Sequence, residues 1–262
     1  MPGTRFTDIR RFDSIDSTNR YLLGEARSGA ADGVVAVADY QSVGRGRLGR
    51  RWEAPAGSNL LMSVLLRPDL PADQRQLASA VVALAAVDAV DAVVGLRVGI
   101  KWPNDLLGSD GRKVAGVLAE ADLVSSSGAL HTVGPPIVVG IGINVNWPIH
   151  DSDLPDELVG SATSLHQQTG RSVDRAELFE ALLRALEPRV ADLGAGSGRV
   201  RQAEDFRSRC TTLGTPVRVE LADDRFEGTA TDVTREGHLV VAVGDATRTV
   251  IAGDVVHVRP GC

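Results

Sequence analysis

The clearest periodic signal in the chain runs from Asp73 to Val94, where Leu77, Val81, Leu84, Val87, Val90 and Val94 recur at three- and four-residue spacing. That period predicts a helix with an apolar face. A second helix is predicted over Val173 to Leu193, with Leu178, Leu182 and Leu186 on one face and an expected kink at Pro188. Apolar and β-branched runs predict strands at Arg11 to Asp16, Val34 to Tyr40, Leu60 to Leu66, Leu96 to Lys101, Lys113 to Ala121 and Ile137 to Asn146. Ser17, Thr18 and Asn19 offer an N-cap for a helix reaching Arg27.

The second half of the chain changes character. Gly194 to Gly198 reads as a flexible break, followed by a short charged helix ending near Cys210. From Gly214 onward come short β segments at 216–221, 226–233, 238–243, 247–251 and 255–258, separated by Asp-Asp, Glu-Gly and Gly-Asp turns. Such spacing fits a small antiparallel barrel of SH3-like size. The expected organisation is a larger α+β domain over residues 1–210 with a small all-β domain over 211–262.

Composition narrows the class. Hydrophobic residues make up 43% of the chain but aromatics only 4%, so Val, Ala and Leu must fill the core. Two cysteines, Cys210 and Cys262, build neither a disulfide framework nor a zinc site, which suits a reducing cytoplasm. Met1 to Asp16 is polar and broken by charge, unlike a secretory signal. The apolar stretch Ala78 to Val94 contains Asp88 and Asp91, which argues against a membrane span. The expectation is a soluble cytoplasmic protein.

Against a net charge of −6, the segment Gln41-Ser-Val-Gly44-Arg45-Gly46-Arg47-Leu48-Gly49-Arg50-Arg51-Trp52 stands out. Four arginines supply planar forks that suit phosphate and carboxylate oxygens. Its glycines let the backbone bend and lie close to a ligand. The segment formally fits the dinucleotide fingerprint, but Pro55 and Gly57 stand where the obligatory helix should run. A nucleic-acid patch is opposed by the acidic balance, since phosphate-backbone binding needs a broad basic surface. A loop that clamps a local polyanion remains, with a solvated arginine turn as the bland alternative.

Three further segments carry chemistry. Lys101-Trp102-Pro103-Asn104-Asp105 follows a strand, and Pro103 ends regular pairing, so Asn104 and Asp105 sit at a turn. They could serve a ligand or simply cap. In Arg112-Lys113-Val-Ala-Gly116, alternation places Lys113, Ala115, Val117 and Ala119 on one strand face. An ammonium there needs an acidic partner or an anionic ligand, unless Lys113 is merely an exposed strand start. Gly140-Ile-Gly142-Ile-Asn144-Val-Asn146 puts amides into an apolar run, and buried amides demand partners.

These segments, with Ser17-Thr18-Asn19 before them and Ala162-Thr-Ser-Leu165 after, resemble in identity and order the motifs of biotin protein ligases. The match covers roughly residues 12–260. The resemblance implies a mixed sheet flanked by helices, similar to class II synthetases, with an SH3-like β-barrel at the C-terminal end. It implies that ATP and biotin form biotinyl-5′-adenylate, and that a lysine of a biotin carboxyl carrier protein or domain then takes the biotin. Lys113 and Arg47 would bring carboxylate and α-phosphate together. Arg45 and Arg50, with the backbone at Gly44 and Gly46, would close over the ligand. Ser17, Thr18, Asn19 and Gln41 would bind the ureido ring, and Trp52, Asn104 and Asn144 the adenylate. Gly116 and Ala162 would let it pack close. Asp105 would either hold Mg²⁺ or orient the acceptor lysine. Bifunctional members carry a winged helix-turn-helix before the first ligase strand, for which about ten residues leave no room; the resemblance is to a monofunctional ligase, monomer or homodimer, with no DNA and no membrane partner. A lipoate- or octanoate-attaching enzyme of the same superfamily, or a non-catalytic nucleotide-binding module, is the competing reading.

Overall fold

The computed structural model describes residues 4–121, 134–221, 223–251 and 253–257. The strands β1 (Ile9–Phe12), β2 (Val35–Ala38), β3 (Leu60–Leu66), β4 (Gly99–Lys101), β5 (Asp105–Leu107), β6 (Lys113–Ala121) and β7 (Ile137–Ile143) form one seven-stranded sheet in the order β1-β2-β3-β7-β6-β5-β4. Only β1 and β2 run parallel; every other pair is antiparallel. A mixed sheet is thus the centre of the larger part of the chain, as the resemblance implied.

Each face of the sheet is covered differently. On one side α1 (Thr18–Arg27) lays Leu22 and Ala26 against Val34, Ala36, Leu65 and Val138. The other side carries α2 (Leu77–Val94), which packs on α4 (Arg175–Leu193) and α5 (Gly196–Arg209). Twelve of the eighteen residues of α2 are buried, because it is sandwiched between sheet and helices. Its length and hydropathy therefore belong to a core helix. Asp88, the acid that interrupts it, is met by Arg189 and Arg209 at 2.7 and 2.5 Å. The short α3 (Leu165–Thr169) is capped by Ser164.

The C-terminal strands β8 (Pro216–Glu220), β9 (Arg225–Val233), β10 (Leu239–Val243), β11 (Ala246–Val250) and β12 (Asp254–His257) form an antiparallel sheet in the order β11-β10-β9-β8-β12. It has the five expected strands, but β11 and β12 lie at opposite edges with no ladder between them, so among the described residues the sheet is open. Trp102, 1% exposed, ties it to the larger sheet. Its backbone N–H donates to Thr212 Oγ1 at 2.9 Å and its indole N–H to Gly237 O at 2.9 Å.

Several boundaries differ from expectation for local reasons. β1 covers Ile9–Phe12 rather than Arg11 to Asp16, and Ile15 keeps only an isolated bridge to Gln41. α2 begins at Leu77, because the residues after Pro71 form a separate 3₁₀ turn, Ala72–Gln74. α4 continues through Pro188 without interruption, since Leu182, Leu186 and Val190 stay buried along one stripe. α5 starts inside the glycine-rich segment, at Gly196. β5 was not foreseen at all; three residues are too few to show a period. Val258, the end of the last expected segment, and Cys262 lie outside the described residues.

Candidate active site

Register places three glycines on one face of the sheet. Gly140 pairs with Ser63 and Leu118, while Gly142 pairs with Leu61 and Gly116. Residues two apart on a strand share a face and sit about 7 Å apart. These glycines make a floor that other side chains press onto. A Cβ at Gly140 would meet Asn19 Oδ1 at 2.2 Å. One at Gly142 would meet the Trp52 indole at 2.4 Å, and one at Gly116 would meet Lys113 Nζ at 2.9 Å.

At the Gly140 end the groups are polar and, apart from Glu120, uncharged. Ser17 caps α1, its Oγ 3.5 Å from the Arg20 N–H. Thr18 N–H donates to Gln41 Oε1 at 2.8 Å. Thr18 Oγ1 lies 2.7 Å from Ser63 Oγ, which lies 2.6 Å from Asn19 Oδ1. Asn19 Nδ2 donates to Leu118 O at 3.1 Å and to Glu120 Oε2 at 2.8 Å. Ser63 and Glu120 were missed by sequence reasoning. A signal existed for both: Ser63 is the lone polar residue of an apolar strand, and Glu120 shares the strand parity of Gly116.

At the Gly142 end stands Lys113, with its Nζ 2.6 Å from Asp105 Oδ1 and 5.5 Å from the Trp52 ring centre. Simple alternation had put Lys113 on the face of Ala115 and Val117, which is the core face. The ladder with β5 corrects this. Leu106 pairs with Ala115 and Leu107 with Lys113, so Val114 is an extra residue. Val114 and Ala115 both enter the core. This bulge turns Lys113 to the glycine floor, as bulges beside functional sites do. Ala162 is fastened next to Lys113 by a parallel bridge, with Lys113 N–H donating to Ser161 O at 2.8 Å.

The arginine segment lies over this floor. Trp52 N–H donates to Gly44 O at 3.0 Å, Gly46 N–H to Arg50 O at 2.7 Å, and Arg45 bridges Arg51. Glycine is required at position 44, where a Cβ would meet Trp52 O at 2.2 Å. Leu48, at the tip, holds a left-handed φ of 56° and is 70% exposed. Each arginine has an acceptor. Arg45 reaches Glu120 at 2.9 Å, and Arg47 reaches Asn104 Oδ1 at 3.0 Å and Gly253 O at 2.8 Å. Arg50 pairs with Asp254 at 2.5 Å and Arg51 with Glu53 at 3.0 Å. Protein oxygens thus hold all four arginine side chains of this loop. Gly253 and Asp254, some 200 residues away in sequence, gave no local signal.

Burial pulls the Arg47 guanidinium below its ordinary pKa, and Arg50 adds to this, while Asp254 and Asp105 oppose it. Among the described residues three buried donors remain without a partner: Arg45 Nε, Trp52 Nε1 and, beside the adjoining cavity, Arg75 Nε. Buried donors are rarely left so; their N–H groups are available to a ligand's oxygens. A cavity of about 270 Å³ adjoins the site along the free edge of β6, lined by Arg47, Arg75, Asn104, Leu118, Glu120 and Ile251.

Not every expected residue faces a ligand. Asn144 is 7% exposed, with Nδ2 donating to Thr163 O at 2.9 Å and Oδ1 accepting from Asn59 Nδ2 at 3.3 Å. Its amide is used inside the protein, fastening the end of β7 to the segment that carries Ala162. Asn104 Nδ2 likewise donates to Val117 O at 2.7 Å, which extends the β6 edge and aims Oδ1 at Arg47.

The arrangement joins a neutral polar recess to a cationic one about 7 Å away, under a glycine-arginine loop. Known proteins similar to this chain fall in one family. Residues 11–144 match the model of the Biotin/lipoate A/B protein ligase family, and residues 212–258 match that of the Biotin protein ligase C terminal domain. The chain is 38% identical to a biotin–[acetyl-CoA-carboxylase] ligase of Mycobacterium tuberculosis, over 93% of this chain and 86% of the relative. It is 34% identical to the ligase of the same name from Paracoccus denitrificans, over 90% and 94%. Among solved structures it is similar to a biotin protein ligase from Aquifex aeolicus in complex with biotin and ATP, with a TM-score of 0.80 and 27% identity, covering 97% of this chain and all of the other.

Proposed function

Since this chain belongs to the biotin/lipoate A/B protein ligase family, and within it to the biotin protein ligases, we propose that it activates biotin with ATP and transfers it to a lysine of a carrier protein. In the first step a biotin carboxylate oxygen bonds to the α-phosphorus of ATP, and the bond to the β-phosphate oxygen breaks, releasing pyrophosphate. In the second step an uncharged lysine amine attacks the acyl carbon of the mixed anhydride. An amide forms, AMP leaves with the bonding pair, and the amine loses a proton.

The observation that carries this reading is the pairing of unlike recesses on one glycine floor. Both reactants of the first step are anions and repel each other, so the site must supply fixed positive charge where they meet. Lys113, turned to the floor by its bulge, and Arg47 above it do so without reorganisation during the reaction. A ring with rigid donors and acceptors suits the uncharged end, where Thr18, Ser63, Asn19 and Gln41 converge. There a mismatched ligand leaves polar groups unsatisfied, so analogues are rejected. An acyl chain such as lipoate would meet the same polar groups without satisfying them.

Asp105 has two candidate roles. Its contact with Lys113 makes it the group that orients the ammonium, and its carboxylate could also accept a proton from the incoming amine. Mg²⁺ would arrive as counter-ion of the nucleotide phosphates. Among the described residues no three acidic, histidine or cysteine side chains gather to cage a metal. The acceptor is a biotin carboxyl carrier protein or domain of a biotin-dependent carboxylase.

Pyrophosphate release with MgATP separates the readings. Release with biotin and not with lipoate is expected; release with lipoate alone would make the chain a lipoate ligase. Release with neither would leave a nucleotide-binding module.

A further inference from the structure

Glu120 is the acid whose side chain joins Asn19 of α1 to Arg45 of the arginine loop. It follows Gly116 and Leu118 at two-residue steps on β6, opposite Val138. A single oxygen, Oε2, accepts from Asn19 Nδ2 on α1 at 2.8 Å and from Arg45 Nη2 of the arginine loop at 2.9 Å.

The first of these bonds sets a direction. A carboxylate can only accept, so Asn19 must turn Nδ2 toward it and Oδ1 toward Ser63. Asn19 Oδ1 then takes the Ser63 hydroxyl proton at 2.6 Å, while Thr18 Oγ1, 2.7 Å from Ser63 Oγ, has Gln41 Oε1 as a further acceptor at 3.1 Å. Thr18 N–H still donates to Gln41 Oε1 at 2.8 Å, so the Gln41 amide also has one orientation, with Nε2 turned away from Thr18. Leu118 O accepts from the same Nδ2 at 3.1 Å, so Glu120 and this β6 carbonyl together set which way the Asn19–Ser63 pair passes its proton.

The second bond sets a position. Glu120 is the only acceptor recorded for the Arg45 side chain among the described residues. It holds the guanidinium so that Nε is buried with no partner of its own.

We propose that Glu120 is the positioning residue of the ligand recess. It fixes, with Leu118 O, the sense of the Asn19–Ser63 pair and presents Arg45 Nε to the bound heterocycle, without touching the reacting atoms. This rests on the biotin reading above and names the determinant of that recess.

The test is E120Q in the full chain, with biotin-dependent ATP–pyrophosphate exchange as readout. Glutamine keeps the size but can turn a donor toward Asn19 and lacks the charge that holds Arg45. The biotin KM is expected to rise about tenfold or more, with kcat and the ATP KM within about threefold, the pattern of lost ground-state binding. E120D, one methylene short, should not restore it. On an R45Q background E120Q should cost clearly less than on the wild type, because the two share one contact. A biotin KM within about twofold of wild type, a loss confined to kcat, or fully additive costs would each overturn the assignment. If the wild-type chain shows no biotin-dependent exchange, the functional reading falls and takes this assignment with it; if only the E120Q pattern fails, the assignment falls alone.

Discussion

Lys113 Nζ stands 2.6 Å from Asp105 Oδ1, and the pair exists because a β-bulge turns Lys113 away from the core face of its strand. The ammonium is held in place before any ligand arrives. That is the condition for electrostatic stabilisation at a reacting centre.

Replacing Lys113 with alanine should lower the rate of biotin-dependent ATP–pyrophosphate exchange by about 10²–10³, the usual cost of losing one preorganised charge. The fold should survive, because Nζ is half-exposed and serves no core contact. Circular dichroism reports the fold, and exchange activity within about threefold of wild type would remove Lys113 from the mechanism.

Gly142→Ala probes the floor. The new methyl would lie 2.4 Å from the indole of Trp52, so the ring has to leave its seat beside Lys113. We expect ligand affinity to fall by about tenfold or more, since the loop closes against that ring. Isothermal titration with biotin and a non-hydrolysable ATP analogue measures it. Unchanged affinity would show that Trp52 is not part of the closed site.

The arginine loop is expected to be cut first by trypsin after Arg50 and Arg51, whose side chains are 67% and 66% exposed. Biotin with MgATP should protect it, and lipoate with MgATP should protect it little, as closure over the ligand requires. Asp254→Asn should accelerate cutting only modestly, up to about fivefold, because exposed ion pairs contribute under about 1 kcal/mol. Equal cutting with and without biotin plus MgATP would show that the loop is not a clamp.

Asp88→Ala should leave exchange activity unchanged and lower stability. Asp88 meets two arginines from α4 and α5, of which Arg189 is only 11% exposed, and both would lose an acceptor. A cost of about 1 kcal/mol is expected, since Asp205 still pairs with both arginines, which lowers the melting temperature by about 2–4 °C at this size. A shift under about 1 °C would mean that water replaces the carboxylate without penalty.

His257 links the two sheets to pH. Burial holds its pKa below the ordinary histidine value, with Lys101 adding repulsion, and its Nε2 contacts Thr212 Oγ1 at 3.0 Å. Thr212 Oγ1 already accepts from Trp102 N–H, so the neutral ring fits this contact as acceptor. A depressed histidine pKa means that the folded state resists protonation. Its stabilising contribution is complete above the unfolded value near 6.5 and is lost as pH falls through the lower folded value. Melting curves should drop between pH 7 and pH 5, and H257Q should flatten that part of the profile. An identical slope in the variant would assign the effect to other groups.

Much of this protein was legible one segment at a time. β3 and β6 fell at their expected ends because Leu60–Leu66 and Lys113–Ala121 are uniform runs bounded by turn residues. α2 ended at Val94 as expected, closed by the left-handed Gly95. The arginine segment, the Ser17-Thr18-Asn19 cap and Lys113 announced themselves by residue type, since charge and glycine in such density have few structural uses.

Tertiary structure decided everything that depends on which strand lies beside which. Alternation assigned Lys113 to the core face, and only the ladder between β5 and β6 reveals the extra residue that reverses it. Asn144 has the composition of a ligand contact, and the structure also engages its amide with Asn59 and Thr163. Ser63, Glu120 and Asp254 enter the site through partners on other elements, which no single strand's sequence names. Local sequence encodes period and propensity, which act over a few residues. Hydrogen-bond partners across a sheet are separated by tens to hundreds of residues, so their identities emerge only when burial and register bring the strands together.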